Sequence, residues 1–426
     1  MAYQRKLLSA KGLNDTVREC FAEIEFPKLQ KGAISWVDCL MSGLAIFGLK
    51  FSSLLKFDKG KKTKLVKKNL ENLYGVLNAP SDTYLRERLD NITPEKLRKP
   101  FKKIFANLQR GKVLEGYTSV DGYYIVAVDA TGQYSSSKVK CKNCCTKKHN
   151  NGDTTYHHQM LAAALVHPDQ KAVIPFAPEP IVKGDGFTKN DCEQNAAKRM
   201  LPDMRREHPH LKILIVQDAL YATKPHLSLL EQLNMRYIIT FKPRPSIETA
   251  LEGHTPQIYH QQKKGGKTYT FHVYHDVPLN QQHPDYLVNV LRCCEKLPDG
   301  TEHFFDWITN CTITQDNVHE LMRAGRARWR IENETFNTLK NQGYNFEHNY
   351  GHGEQYLCSV FTILMMLTFL IDQVKELCDK AYQEARAHHG SLKSLFEYQR
   401  VAMYTGIWKD WDSFHEGAIP PQARAG

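Results

Sequence analysis

Apolar residues along this chain fall into two rhythms, and the rhythm changes twice. The run SWVDCLMSGLAIFGLKFSSLLKF (35–57) is apolar with sparse polar breaks, the pattern of a helix buried on most of its sides. PSDTYLRERLDNITPEKLRKPFKKIF (80–105) predicts a helix capped at Ser81 or Asp82 and another after Pro94. Residues 1–118 therefore read as mostly helical. At 123 the texture becomes β-branched and aromatic: YYIVAVDATG predicts a buried strand ending at Asp129. HQMLAAALVHPDQKAVIPFAPEPI (158–181) reads as two strands around a His-Pro-Asp turn. KNDCEQNAAKRMLPDMRREH (189–208) reads as a helix, and Asn190 and Glu193 have the spacing of a capping box. LKILIVQDALYA (211–222) is a second buried strand ending in an aspartate, Asp218. A helix near 225–234 then leads into the strand RYIITFK (236–242).

Between 244 and 313 alternating polar and apolar positions replace the continuous runs, as in KTYTFHVYHDV, DYLVNVLRCCEK and HFFDWITNCTI. This predicts a β-rich insertion. After it, TQDNVHELMRAGRARWRIENETFNTLKNQGY (314–344) reads as one long helix, followed by the apolar helix YLCSVFTILMMLTFLI (356–371) and a polar helical tail from 376. The apolar run is shorter than the roughly 20 residues of a membrane span, so it reads as a core helix. The order is that of an α/β protein, in which ligand sites gather at the carboxyl ends of strands.

The chain has 426 residues, enough for two or three domains, and a formal net charge of +11. That excess favours a polyanionic partner. Six lysines stand between Lys59 and Lys68 with no acid among them, including Lys61, Lys62, Lys67 and Lys68. They suit contact with DNA phosphates or a solvated face. The N-terminal MAYQRKLLSAKGLNDTVREC lacks the apolar core of a secretory signal, and eleven cysteines without such a signal point to reduced thiols in the cytoplasm.

Three carboxylates carry the candidate chemistry. On a wheel of about 100° per residue, Leu321, Met322, Trp329, Phe336 and Leu339 share one arc. Glu332 falls inside that arc and Glu334 on the opposite side. A carboxylate on an apolar face is costly to ionise without a cation or donor. An ion pair with Arg328, one turn earlier, would satisfy it. So would a divalent metal shared with Asp129 and Asp218, since hard oxygen sites suit Mg²⁺ or Mn²⁺.

Strand aspartate, strand aspartate and helix glutamate in this order resemble the DDE transposases. RWRIE (328–332) resembles the C-terminal signature of bacterial insertion-sequence transposases, in which Tyr, Arg, Glu and Lys follow along one helix after a β-rich insertion. The resemblance covers roughly 120–371. It implies an RNase H-like mixed sheet flanked by helices. The expected divisions are an α-helical N-terminal DNA-binding region (1–118), the first part of the core (119–243), the insertion (244–313), the second part of the core (314–375) and a helical tail (376–426). It implies Asp129, Asp218 and Glu332 as catalytic ligands of two Mg²⁺ ions, with Mn²⁺ as substitute. It also implies Arg328 as an end-contacting arginine, with Arg330 and Lys340 beside it on the DNA. The signature tyrosine falls at Gly325. The signature lysine falls at Leu339, with Lys340 next to it. Taking Arg330 and Glu334 instead puts Ala327 and Asn341 at those positions.

The implied activity is metal-dependent cleavage and strand transfer at the ends of an insertion sequence. The implied partners are double-stranded DNA, at element ends and target, and a second copy on paired ends, in a bacterial, nucleoid-associated setting with no membrane. The alternative is a transposase-derived DNA-binding protein without catalysis. Trp307, in the insertion, could stack on a flipped base or belong to the core. CKNCCTKKHNNGDTTYHH (141–158) offers Cys141, Cys144, Cys145, His149, His157 and His158, but no second Cys pair at zinc-site spacing. It reads better as a lysine-bearing loop carrying Lys138, Lys140, Lys142, Lys147 and Lys148 to DNA. In EHNYGHG (347–353), His348 and His352 could approach the carboxylate site, but the segment reads better as a turn between helices.

Overall fold

The computed structural model describes residues 6–183, 192–241, 251–263 and 265–420. The strands form one sheet, including β2, whose residues were expected in a loop, and β8, which was not expected: β1 (Tyr124–Ser136), β2 (Cys145–Lys148), β3 (Thr154–His167), β4 (Gln170–Pro175), β5 (Glu179–Ile181), β6 (Ile213–Gln217), β7 (Arg236–Thr240), β8 (Gln257–Gln262), β9 (Thr268–Asn280), β10 (His283–Lys296) and β11 (Glu302–Thr309). β4 and β5 pair antiparallel with β3, and β3 antiparallel with β1. β6 lies parallel to β1, and β7 parallel to β6. Antiparallel β4–β3–β1 followed by parallel β6 and β7 is the RNase H-like arrangement. β6 is buried along its whole length, as an apolar parallel strand covered on both faces must be.

The insertion strands β9, β10 and β11 appear where alternation predicted them, yet they do not stand apart. β11 pairs antiparallel with β7, and β10, β9 and β8 follow in order, so the core sheet runs on without a break into the insertion.

The N-terminal region is helical over Ala10–Ala22, Trp36–Gly48, Leu54–Gly60, Lys64–Tyr74, Asp82–Leu89 and Lys99–Arg110. The first five carry Ser or Thr N-caps, namely Ser9, Ser35, Ser53, Thr63 and Ser81, each accepting a backbone N–H from inside its helix. These helices share a hydrophobic core with the sheet. At its centre lies Leu357–Cys378, a helix long and apolar enough for a membrane span, with 94% of its apolar 18-residue stretch buried inside the protein. It packs against Trp36–Gly48, where a Cβ on Gly43 would stand 2.7 Å from Leu364 Cδ1. Helices Lys380–His389, Leu392–Thr405 and Trp411–Glu416 follow it.

Two expectations need correction. The helix predicted as continuous over 314–344 is α-helical over Val318–Arg326, turns at Ala327 and Arg328, and is π-helical over Ile331–Phe336 before Asn337–Asn341. A wheel at one fixed angle does not survive that change of pitch, and Trp329, placed by it on the buried face, is 58% exposed. The capping box of Asn190 and Glu193 lies partly outside the described residues; the helix Glu193–Glu207 has Cys192 at its N-cap with no side-chain cap bond.

Candidate active site

β1 pairs with β6 from Tyr124↔Ile213 to Ala127↔Val216. β1 then continues to Ser136 along β3, so Asp129 is mid-strand, opposite Ala162, rather than at a strand end. The site is made by β6 stopping at Gln217. Two positions past the last parallel pair, Asp129 and Asp218 reach the same level of the sheet where β1 loses its neighbour on that side. Asp218 begins a tight turn, its Oδ1 accepting the Leu220 N–H at 2.9 Å. Asp129 Oδ1 accepts the Ala130 N–H at 2.8 Å.

The signature segment closes over this pair. Arg328 Nη1 lies 3.2 Å from Asp129 Oδ2 and 2.6 Å from Glu332 Oε1, so one guanidinium nitrogen stands between two carboxylates. Of the two partners the sequence allowed for Glu332, the structure shows the ion pair with Arg328, which also reaches Asp129. The Glu332 side chain is 37% exposed, so it lies at the edge of the apolar face. Glu334 pairs with Arg330 at 3.2 Å. Arg330 also donates to Pro168 O at 2.8 Å, which directs both away from the aspartates.

Burial pushes the Asp129 carboxyl up to about 6, with the charges of Glu332 and Asp218 adding, against the Ala130 N–H and Arg328. Sequence reasoning missed a fourth acid. Glu193 accepts from Tyr221 Oη at 3.4 Å. Burial raises its carboxyl, and Asp218 adds to the shift. Its helix-start spacing signalled a cap, and only the fold brings it to Asp218.

This donor set fits a divalent cation. The oxygens are hard carboxylates, Asp129 is raised chiefly by burial with Glu332 and Asp218 adding to it, and a guanidinium already stands in as the cation between two of them. Among the described residues, however, the ligand atoms gathered within 4.8 Å of one another are those of Cys141, Cys144, His158 and His352.

The DNA-facing candidates divide. Lys62 is 70% exposed and Lys67 is exposed; with Lys61 they line a cleft beside Gly32 and Asn78. Lys61 is turned inward, donating to Ala79 O at 3.0 Å and pairing with Asp58. Lys68 pairs with Glu71, and Lys340 with Glu347. Trp307 is a core residue. It is 3% exposed, with Phe305 stacked on its ring at 5.8 Å, so no face is left for a base. Its Nε1 would stand 2.6 Å from a Cβ at Gly325. The position of the missing signature tyrosine is therefore filled by Trp307.

A family model described as a transposase DDE domain matches residues 121–369. No curated protein matches the chain. Among solved structures, the cryo-EM structure of a piggyBac transposase synaptic complex with hairpin DNA is similar over 100% of this chain and 83% of that chain, at a TM-score of 0.41 and 10% identity.

Proposed function

The chain belongs to the DDE transposase domain family, and from that premise we propose that it cuts and joins DNA at the ends of a mobile element, with Asp129, Asp218 and Glu332 as the acidic triad. The observation that carries this reading is the shared level of Asp129 and Asp218 on β1 and β6, with Glu332 joined to Asp129 through Arg328. The three carboxylates would hold two Mg²⁺ ions, or Mn²⁺ in their place, which activate the attacking oxygen and stabilise the leaving oxygen of an in-line displacement.

The protein's own residues do the rest. Asp129 is held by the N–H of the next residue of its strand and Asp218 by an N–H of the turn it begins, so they do not have to be ordered when substrate arrives. Arg328 occupies the carboxylate gap in the absence of substrate and is placed to transfer to a backbone phosphate of the element end. Water attacks phosphorus at the element end, the bond to the 3′ oxygen breaks, and a free 3′-hydroxyl results. That hydroxyl then attacks a target phosphodiester and displaces a second 3′ oxygen. No protein nucleophile is consumed. A homodimer would hold the two ends together.

Cleavage of the element's end DNA with Mg²⁺ or Mn²⁺ tests this. Asp129→Asn, Asp218→Asn and Glu332→Gln should each reduce cleavage at least a hundredfold while binding of the same DNA persists, and Glu334→Gln should keep most of the activity. If Glu334→Gln is the inactive variant, the triad is misassigned. If the wild type binds but does not cut with either metal, the chain is a DNA-binding derivative without catalysis.

A further inference from the structure

Outside the carboxylate site, four soft ligands from three distant parts of the chain meet at one point. Cys141 and Cys144 come from the loop between β1 and β2, His158 from β3, and His352 from the turn after the signature segment. The sulfurs are 3.8 Å apart. His158 Nε2 is 3.4 Å from each sulfur, and His352 Nε2 is 3.1 Å from Cys144 Sγ. A tetrahedral ion with Zn–S of about 2.3 Å and Zn–N of about 2.0–2.1 Å needs S···S near ~3.8 Å and S···N near ~3.6 Å. A disulfide would need its sulfurs at about 2.05 Å. The S···S separation matches a tetrahedron edge, the His158 contacts come within about 0.2 Å of one and the His352 contact is about 0.5 Å shorter.

The surroundings fit the same ligand. Cys144, His158 and His352 are buried, and Cys141 is partly so. The Cys141 backbone N–H points at Cys144 Sγ, 3.3 Å away, the kind of contact that stabilises a thiolate in a Cys-x-x-Cys turn. The His352 ring packs against Tyr134 at 5.1 Å and against His158 at 5.0 Å, which fixes its orientation. Neighbouring residues complete the corner: Asn143 Nδ2 donates to Gln355 O at 2.6 Å, and Gln133 Nε2 to Cys358 O at 3.4 Å.

We propose that Cys141, Cys144, His158 and His352 form a structural zinc site that clamps the end of the β1–β3 hairpin to the turn leading into the central helix. Zn²⁺ replaces two thiol protons, which leave to solvent, and two thiolates with two neutral imidazoles make the buried unit neutral. All four positions are filled by protein, so the ion has no open position for chemistry. It is separate from the carboxylate site, which offers oxygen only. Its consequence for that site is positional: β1 carries Asp129 five residues before Tyr134, and the turn at His352 follows the segment that carries Arg328 and Glu332.

Zinc counted by elemental analysis in the full-length protein, after removal of loosely held metal with a weak chelator, tests this. One zinc per chain is expected in wild type and in Cys145→Ser, whose sulfur bonds instead to Ile181 O. One zinc is also expected in the triple variant Asp129→Asn, Asp218→Asn, Glu332→Gln, which separates this site from the proposed catalytic one. Cys141→Ser, at the most exposed ligand, should retain less than a tenth. Metal-depleted wild type needs no substitution; adding Co²⁺ to it should give the intense visible absorption of a tetrahedral thiolate site. The proposal is overturned if wild type holds no stoichiometric zinc, if Cys141→Ser keeps it, or if the metal-free protein as isolated has Cys141 and Cys144 joined as a disulfide.

Discussion

Gly325 shows how a single missing side chain can be read in physical terms. The resemblance placed a tyrosine there. The structure places the indole of Trp307 at 2.6–2.8 Å from any Cβ, with Ile238 Cγ2 at 3.1 Å. Overpacking a close-packed core costs roughly 1–3 kcal/mol. Gly325→Ala should therefore lower unfolding stability by about that amount in urea titrations, and Gly325→Tyr should lower it further. Adding Trp307→Leu should recover part of the loss; no recovery would mean that the indole is not the obstacle. His208 gives a second residue-level test. Burial between Phe105 and Phe176 pushes its imidazole down to about 4, with Lys102, Arg205 and Arg98 adding. The unfolded chain titrates near ~6.5. Between those values the unfolded state takes up the proton and the folded state does not. The stability due to neutral His208 is thus complete above about pH 6.5 and is lost as pH falls toward 4. His208→Gln removes this penalty. Relative to wild type, the variant should gain roughly 2–3 kcal/mol between pH 7 and 4.5 in denaturant titrations, and an unchanged difference would contradict the buried neutral state.

At the level of elements, a charge inside the apolar core joins the N-terminal helices to the central helix. Lys50, fully buried, pairs with Asp372 at 2.7 Å. Asp372 also takes Lys375 at 2.6 Å and the Tyr344 hydroxyl at 2.6 Å. The Lys50 ammonium lies 4.1 Å from the ring centres of both Tyr344 and Phe396. Burial alone would raise the Asp372 carboxyl; Lys375 and Lys50 overcome it and hold the group down at about 2. Removing one member of a buried ionic group strands the others, at a cost of about 3–5 kcal/mol. Asp372→Asn should lose that much in chemical unfolding; a loss below about 1 kcal/mol would show that solvent reaches the lysines. The elements also divide what was legible in advance. β1, β6 and the insertion strands β9, β10 and β11 were readable because burial on both faces leaves continuous apolar runs, and burial on one face leaves alternation. The π-helical segment at Ile331–Phe336 was not readable, because an extra residue per turn leaves no mark in composition. Asp218 was legible as the residue after an apolar run. Glu193 was hidden by its place at a helix start, and His352 by its distance in sequence from Cys141 and Cys144.

Over the whole molecule, the net charge of +11 counts for less than how much of it is free. Lys61, Lys68, Arg330 and Lys340 are engaged by carbonyls or carboxylates. Lys67 in the N-terminal cleft, Lys138, Lys140 and Lys142 in the loop before β2, and Lys147 and Lys148 on β2 are exposed; Lys62 beside Lys67 is 70% exposed and only loosely paired with Asp58, at 3.8 Å. Each lysine that neutralises a phosphate contributes about 0.9 to the slope of log affinity against log salt. Lys62→Ala with Lys67→Ala should flatten the slope for DNA binding by about 2, measured by fluorescence anisotropy from low to moderate salt. An unchanged slope would place the duplex elsewhere.

The central helix has a consequence for how the chain is made. The N-terminal helices bury their apolar faces against Leu357–Cys378, which lies more than two hundred residues later in the sequence. At roughly 5–20 residues per second, a ribosome takes on the order of ten seconds to a minute to supply it. Throughout that interval the segment Trp36–Gly48, buried along most of its length in the finished protein, is without its main packing partner. A nascent chain, or one truncated before residue 357, exposes that surface to chaperones and proteases. Premature stop codons anywhere in the first three quarters of the reading frame should therefore give products that are cleared or aggregated, rather than free N-terminal fragments that compete for DNA.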